Sequence, residues 1–471
     1  MGINMSDLNS DSNLIDALER QAQPLRGLDN DYDSIIQAIQ GNTSVNDKAK
    51  IVVLLGEATY GTAEFYRIRS EITQRLITEQ GFDAIAIEAD WPDASRINRY
   101  VSGESDDIEA DAALSDFERF PAWIWRNIEV QTFVQWLHHY NQMHRKDRGP
   151  RNQTKNVGFY GLDFYNMTAS IGELLSYLDK TNPKEAEAAR ARYASCSEFI
   201  SEPQACYSTI GSHGPNSSEQ KAITQLEQEL INQLIARWKM CLDSQRDGAF
   251  AGDEYFLARQ PQQKAELVKN TEEYYRAMVR CRPHMWNLRD RHISETLKKL
   301  VGHLETRLGR EPRIVVWAHN IMRKPWPSHL GNAAATNEGR RGDINIGQLV
   351  RENYGYKALR IGFSTSRGTV TAASDWDGPT ETKTIREPLS GSYADIFSQL
   401  VKQRFLLDFR GQSSVADLLK EERLQRAIGV IYRPETEGRS HYFYTSLPGQ
   451  LDFLIHITET EAVSPLNGLR G

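Results

Sequence analysis

Four ionisable groups fall where short apolar runs stop. Glu57 follows IVVLLG at 51–56, and Glu88 sits in AIAIEA at 84–89. Asp163 follows VGFYGL at 157–162, and His319-Asn320 follows IVVWA at 314–318. Arg69 lies between the first two runs. Carboxylates, a guanidinium and an imidazole on one edge are the groups needed to activate water and attack a carbonyl. A buried unpaired carboxylate is costly, so Glu57 and Glu88 each need a partner, and Arg69 is the available cation. The same groups can also form an ion-pair network that only ties strand ends together. Spacing alone does not separate these readings.

For the side chains to meet, their runs must be neighbouring strands of one sheet. Further strand-like runs occur at 358–363, 405–409, 427–432 and 453–457. Most are continuous rather than alternating, which predicts burial on both faces. Between the first two runs, Phe65, Ile68, Ile72, Leu76 and Ile77 recur at helical spacing, and Gly81 closes the pattern. This is a β-α-β unit, so the fold class is α/β, with a mixed, partly parallel sheet flanked by helices. Ligands in such sheets bind beyond the carboxyl ends of the strands. The turn Glu57-Ala58-Thr59-Tyr60-Gly61-Thr62 would then lie at a pocket, with Gly61 letting the backbone pass close to a ligand and Thr62 capping the helix. From about 166 to 307 the chain is charged and helix-periodic, broken by a Gly/Ser/Asn-rich loop at 208–218. It reads as an inserted helical lobe. The expected division is a polar N-terminal segment at 1–44, core at 45–165, lobe at 166–307, more core at 308–465 and a tail at 466–471.

The bulk composition narrows the function classes. The 471 residues suffice for two or three domains, or for one large core with an added lobe. Charged residues make up 25%, the net charge is −7, and no long basic block occurs, which argues against nucleic acid as a partner. Cys196, Cys206, Cys241 and Cys281 form no CxxC pair, as expected of a reduced compartment. The polar, acidic N-terminus lacks a signal-peptide core, and Met1-Gly2 does not open a convincing myristoylation signal. No apolar window of about eighteen residues predicts a membrane span. A cytoplasmic protein with a small-molecule substrate is expected. GEATYGT fits neither GxGxxG nor a P-loop, and no cofactor is expected.

The block GEATYGTAEFYRIRSEITQRLITEQGFDAIAIEADWPDASRINRYV resembles the erythromycin esterase family. So do FPAWIWRN, GFYGLDFY, WNLRDRH, the SHLG…EGRRGDINIGQLV stretch, VTAASDWDGP and IYRPETE…SHYF. In family order these cover about 45 to 465. The resemblance implies a mixed α/β core with a helical lobe over a deep polar cleft. Characterised resistance members of the family hydrolyse macrolide lactones, without a metal; many relatives have no known substrate. Glu57, Arg69 and Glu88 fall where the family has its glutamate, arginine and second glutamate.

The sequence departs from the family twice. GEATHGT becomes GEATYGT, so Tyr60 stands where the family has the histidine thought to activate water. A phenol with a reference pKa of about 10 is a poor base at neutral pH but a good hydrogen-bond donor. WAHNSHLGDA becomes WAHN and SHLGNA separated by 321–327, which displaces His329 unless the insertion bulges outward. Lys324 and Trp326 of that insertion are candidates to line the cleft, or belong to an exposed loop stiffened by Pro325 and Pro327. The resemblance also brings His292, Asp163 and Tyr165 near the site.

The expected catalytic set is Glu57, Tyr60, Arg69, Glu88, His319 and His292. The expected substrate-binding set is Asp163, Tyr165, Asn320, Lys324, Trp326 and His329. No metal is expected: His319, His329, Glu57 and Glu88 could ligate one, but Arg69 would oppose a nearby cation. The function that follows is hydrolysis of an ester, lactone or related carbonyl compound at an altered site. The alternatives are a catalytically silent small-molecule binder, or a lyase or transferase using the same cleft.

Overall fold

The computed structural model describes residues 5–41, 49–146, 156–163, 285–320 and 344–466, except 376 and 412. The chain divides into two compact units. One comprises Met1–Glu88, Asp93–Leu162 and Ile293–Gly471; the other comprises Ala89–Pro92 and Asp163–His292. The expected helical lobe belongs mostly to stretches outside the described residues.

Among the described residues, the first unit is built on a nine-stranded mixed sheet. Its strands are β1 (Gln23–Pro24), β2 (Val52–Leu55), β3 (Ala84–Asp90), β4 (Gly158–Asp163), β5 (Ile314–Trp317), β6 (Ala358–Ala372), β7 (Glu381–Ile385), β8 (Arg404–Asp408) and, numbered after a separate pair, β11 (Phe453–Thr460). That pair is β9 (Arg423–Arg426) and β10 (Tyr442–Thr445), a small antiparallel hairpin of its own. The main order is β1-β8-β11-β6-β2-β5-β3-β4, with β7 beside β6. The centre is parallel: β11 with β6, β6 with β2, β2 with β5 and β5 with β3. Continuous apolar runs produce this because a central parallel strand is covered on both faces. Accordingly Val52, Val53, Leu54 and Leu55 of β2, and Ile314, Val315, Val316 and Trp317 of β5, are fully buried.

Helices α1 (Met5–Gln21), α2 (Asp33–Gln40), α3 (Ala63–Gln80), α4 (Trp91–Ser102), α5 (Ala110–Ala113), α6 (Ile128–Lys146) and α7 (Met285–Leu308) follow in chain order. Helix α3 buries Phe65, Ile68, Ile72, Leu76 and Ile77, the stripe the sequence predicts. Gly81 ends it in the left-handed conformation at φ 65°, and its N–H returns to the Leu76 carbonyl. Among the described residues, no helix is long and apolar enough to cross a membrane.

Two local expectations need correction. The run 427–432 is not a strand. Its backbone bonds are divided among three partners: the Ala427 N–H donates to the His441 carbonyl at 3.0 Å, the Ile428 N–H to the Ala58 carbonyl at 2.9 Å, and the Tyr432 N–H to the Ala373 carbonyl at 2.9 Å. A segment shared in this way forms isolated bridges instead of a ladder, and the hairpin strand lies just before it at β9. The close approach that Gly61 permits is to backbone. A Cβ there would meet the Thr371 carbonyl oxygen at 1.9 Å, so the glycine lets the turn press against β6.

His456 on β11 is an interior histidine that sequence reading passed over. It is fully buried between the Phe397 and Phe405 rings. Ser366 Oγ donates to the Ala394 carbonyl at 2.7 Å, so it accepts from Nε2–H of His456 at 3.3 Å. Nδ1 is then left to accept from Ser364 Oγ at 2.8 Å. Burial, with Arg426 adding to it, drives the imidazole down to about 3. The unfolded chain, with a histidine pKa of about 6.5, takes up a proton that the folded chain refuses, so this group costs stability as pH falls from about 6.5 toward 3. His456→Gln should flatten that acid loss by up to about 1.4 kcal/mol per pH unit. Urea midpoints at pH 7, 5.5 and 4.5 check it, and parallel losses in parent and variant would refute it.

Candidate active site

Adjacency of β2, β5 and β3 brings three strand ends side by side. Glu57 follows β2, His319 follows β5 and Glu88 lies near the end of β3. The strands are in register there: Leu55 is opposite Trp317, and Trp317 opposite Ile87. The main chain continues the pairing beyond the strands, with the Asn320 N–H donating to the Glu57 carbonyl at 2.8 Å. Helix α3 starts immediately after the turn and returns Arg69 to the same place.

The side chains join in two groups. In the first, Arg69 Nη2 donates to Glu57 Oε2 at 3.0 Å, with exposures of 0% and 1%. The guanidinium lies against two aromatic faces, 4.3 Å from the Tyr66 ring centroid and 5.0 Å from that of Trp317. Such contacts favour a desolvated cation. Its Nε and Nη1 groups find no hydrogen-bond acceptor among the described residues. In the second group, the Tyr60 hydroxyl donates to Glu88 Oε1 at 3.0 Å, and the His319 backbone N–H donates to Glu88 Oε2 at 3.1 Å. The Tyr60 and His319 rings are 4.6 Å apart and tilted by 43°.

Tyr66 connects the groups. Its hydroxyl donates to the Tyr60 carbonyl at 2.8 Å while its ring faces Arg69. Sequence reading missed Tyr66, Trp317 and Thr73, whose hydroxyl accepts from Trp317 Nε1 at 3.0 Å. The available signal was Tyr66 to Arg69, an i,i+3 pair on one helix face.

Burial raises the Glu57 carboxyl to about 7; Arg69 opposes the rise and the Glu88 charge adds to it. Desolvation outweighs the ion pair because the 3.0 Å Arg69 contact, with help from Tyr66, does not replace the full hydration of a fully buried carboxylate. Burial likewise holds the Tyr66 phenol well above its ordinary value, aided by the charge of Glu57, so Tyr66 remains a hydrogen-bond donor.

Asn320 is occupied by the fold: its Nδ2 donates to the Phe363 carbonyl, and its Oδ1 accepts from the Phe363 N–H at 3.1 Å. A Cβ on Gly56 would meet that Oδ1 at 1.8 Å, so the amide needs a glycine beside it. Thr62 stands at the N-cap of α3, but its hydroxyl pairs with Thr59 instead of capping the helix. In the second unit, Asp163 accepts two bonds from Arg289, and His292 is buried on α7. Tyr165, Lys324, Trp326 and His329 lie outside the described residues. Among the described residues, no three His, Cys, Asp or Glu side chains converge as metal ligands.

The erythromycin esterase family model matches residues 77–460. The chain belongs to the erythromycin esterase family. Glu88 and His319 fall within the matched span, whereas Glu57, Tyr60 and Arg69 precede it. Three solved structures share the fold. A succinoglycan biosynthesis protein is 20% identical, with a TM-score of 0.66 over 97% of this chain and 99% of its own. A Bacillus cereus protein is 18% identical, with a TM-score of 0.67 over 97% and 99%. A point mutant of the erythromycin esterase EreC, in its open conformation, is 13% identical, with a TM-score of 0.57 over 98% and 97%. These likenesses place the mixed sheet and its flanking helices among erythromycin-esterase-like folds.

Arg69→Ala should cost about 3–5 kcal/mol at pH 8, where Glu57 is ionised in the parent and would be left alone in the interior. The loss should be smaller at pH 6, where protonation of Glu57 relieves the orphaned charge. Arg69→Lys should fail to restore stability, because an ammonium cannot lie flat between Tyr66 and Trp317. Chemical denaturation midpoints at the two pH values test this. An unchanged midpoint at pH 8 would show that the pair contributes nothing.

Proposed function

We propose that the chain hydrolyses an ester, lactone or related carbonyl compound by activating water with its own side chains. The observation that carries this reading is the convergence of Glu57, His319 and Glu88 from three adjacent strand ends, with the Tyr60 phenol bonded to Glu88 and its ring on His319. In the proposed reaction, water attacks the carbonyl carbon while the His319 imidazole takes its proton. Glu88, which already accepts the His319 backbone N–H, fixes the strand end that carries this base. Negative charge develops on the carbonyl oxygen, and Arg69 stabilises it; the two N–H groups of Arg69 with no described acceptor support that role. The proton then passes from His319 to the leaving oxygen or nitrogen as the bond to carbon breaks. Tyr60 supplies a neutral donor where relatives have a histidine, and His292 serves as a second candidate base. A reduced, cytoplasmic setting belongs to the same reading and is supported by the scattered cysteines.

One observation favours a silent small-molecule binder instead. The five central side chains have exposures of only 0–9%, and Glu57–Arg69 and Tyr60–Glu88 pair with each other, as in a structural network. A screen of the purified protein against esters, lactones and amides separates the readings. Turnover that disappears in Arg69 and His319 variants supports hydrolysis; binding without turnover supports the alternative.

Tyr60→Phe removes only the hydroxyl bonded to Glu88. If it orients the substrate, kcat/KM on the best compound should fall on the order of tenfold, the value of one hydrogen bond of about 1.4 kcal/mol. Tyr60→His should raise hydrolysis of simple esters. A loss near a thousandfold in Tyr60→Phe would instead make the phenol a principal acid or base.

A further inference from the structure

We infer that Tyr66 is the positioning residue that couples the Arg69–Glu57 pair to the Tyr60–Glu88–His319 group. The inference rests on the hydrolytic reading for its catalytic consequence, but not for its structural content. Tyr66 is fully buried and lies one helical turn before Arg69 on α3. Its ring supports the guanidinium at 4.3 Å, and its hydroxyl reaches back to the Tyr60 carbonyl at 2.8 Å. That carbonyl belongs to the residue whose own hydroxyl holds Glu88 and whose ring lies on His319. One side chain therefore fixes a face of the cation and the backbone of the donor.

The supporting shell is specific. Trp317 offers Arg69 a second ring, its indole N–H is tied to Thr73, and Phe133 packs on it at 4.8 Å. The guanidinium thus lies against two rings and is bonded to Glu57. Loss of the Tyr66 hydroxyl frees the turn at Tyr60 without removing the face under Arg69. The consequence should be transmitted through Tyr60. A purely structural tyrosine would lower stability without regard to what stands at position 60.

The test is a double-mutant cycle of Tyr66→Phe and Tyr60→Phe. On the best carbonyl substrate, Tyr66→Phe should lower kcat about tenfold with KM changed less than about twofold. In the Tyr60→Phe background its effect should shrink below about twofold, since coupled residues are not additive. Histidine-selective NMR of the unliganded protein gives a readout independent of turnover. Tyr66→Phe should shift the His319 ring signals, which report the Tyr60 ring 4.6 Å away, and the shift should be largely lost in a Tyr60→Ala background, which has no ring on His319. Should Tyr66→Phe not fold, Tyr66→Met removes the hydroxyl with a flexible side chain of similar reach. Equal His319 shifts in both backgrounds, or no shift, overturn the proposal. Coupled NMR shifts with no turnover of any compound support it and overturn the hydrolytic reading alone.

Discussion

A guanidinium with no solvent exposure must be stabilised from within the fold, and the architecture around Arg69 is arranged to do this. Its charge meets Glu57 at 3.0 Å, and its faces meet Tyr66 and Trp317. Neither carboxylate nor cation would be tolerable there alone, since an isolated buried charge costs far more than one hydrogen bond returns. The compensation is incomplete. Glu57 still holds its proton to about 7, and two N–H groups of Arg69 have no described acceptor. A cluster left polar and incompletely paired costs stability.

The parallel centre of the sheet makes that pairing possible. Register along β2, β5 and β3 brings their carboxyl ends to one level, so residues distant in sequence become neighbours without long loops. Small residues then let the backbones close: Gly56 beside the Asn320 amide, and Gly61 against the Thr371 carbonyl. Asn320 uses its amide on β6 backbone. The end of the sheet is therefore rigid where the ionisable groups are attached, and their spacing is set by main-chain hydrogen bonds.

The C-terminal part braces the same turn from the other side. Ile428 bonds to Ala58, and Val463 donates to the Gly61 carbonyl at 2.9 Å. Behind Ile428, Arg426 is buried with Glu437 at 3.1 Å and also donates to the carbonyls of Arg386, Thr365 and Ser366. This network is well satisfied, in contrast to Arg69. The difference separates an arginine that fastens segments together from one that retains unused donors.

Strand runs at 51–56, 84–89 and 314–318, the helix closed by Gly81, and the polar groups at the strand ends were legible in the sequence. Each is governed by local pattern: continuous apolar residues for a doubly covered strand, helical spacing for one buried stripe, and a glycine for a left-handed cap. The sequence also singled out Tyr60 as the departure from the family motif. Tertiary structure alone decided what these residues touch. It gave the Tyr60 hydroxyl to Glu88 and its ring to His319, assigned Asn320 to β6, and turned 427–432 from an expected strand into a brace. It also revealed Tyr66 as the link between the two polar groups. Those outcomes depend on strand order and on close approach between separate elements, some of them hundreds of residues apart, and neither has a signature in local composition or period.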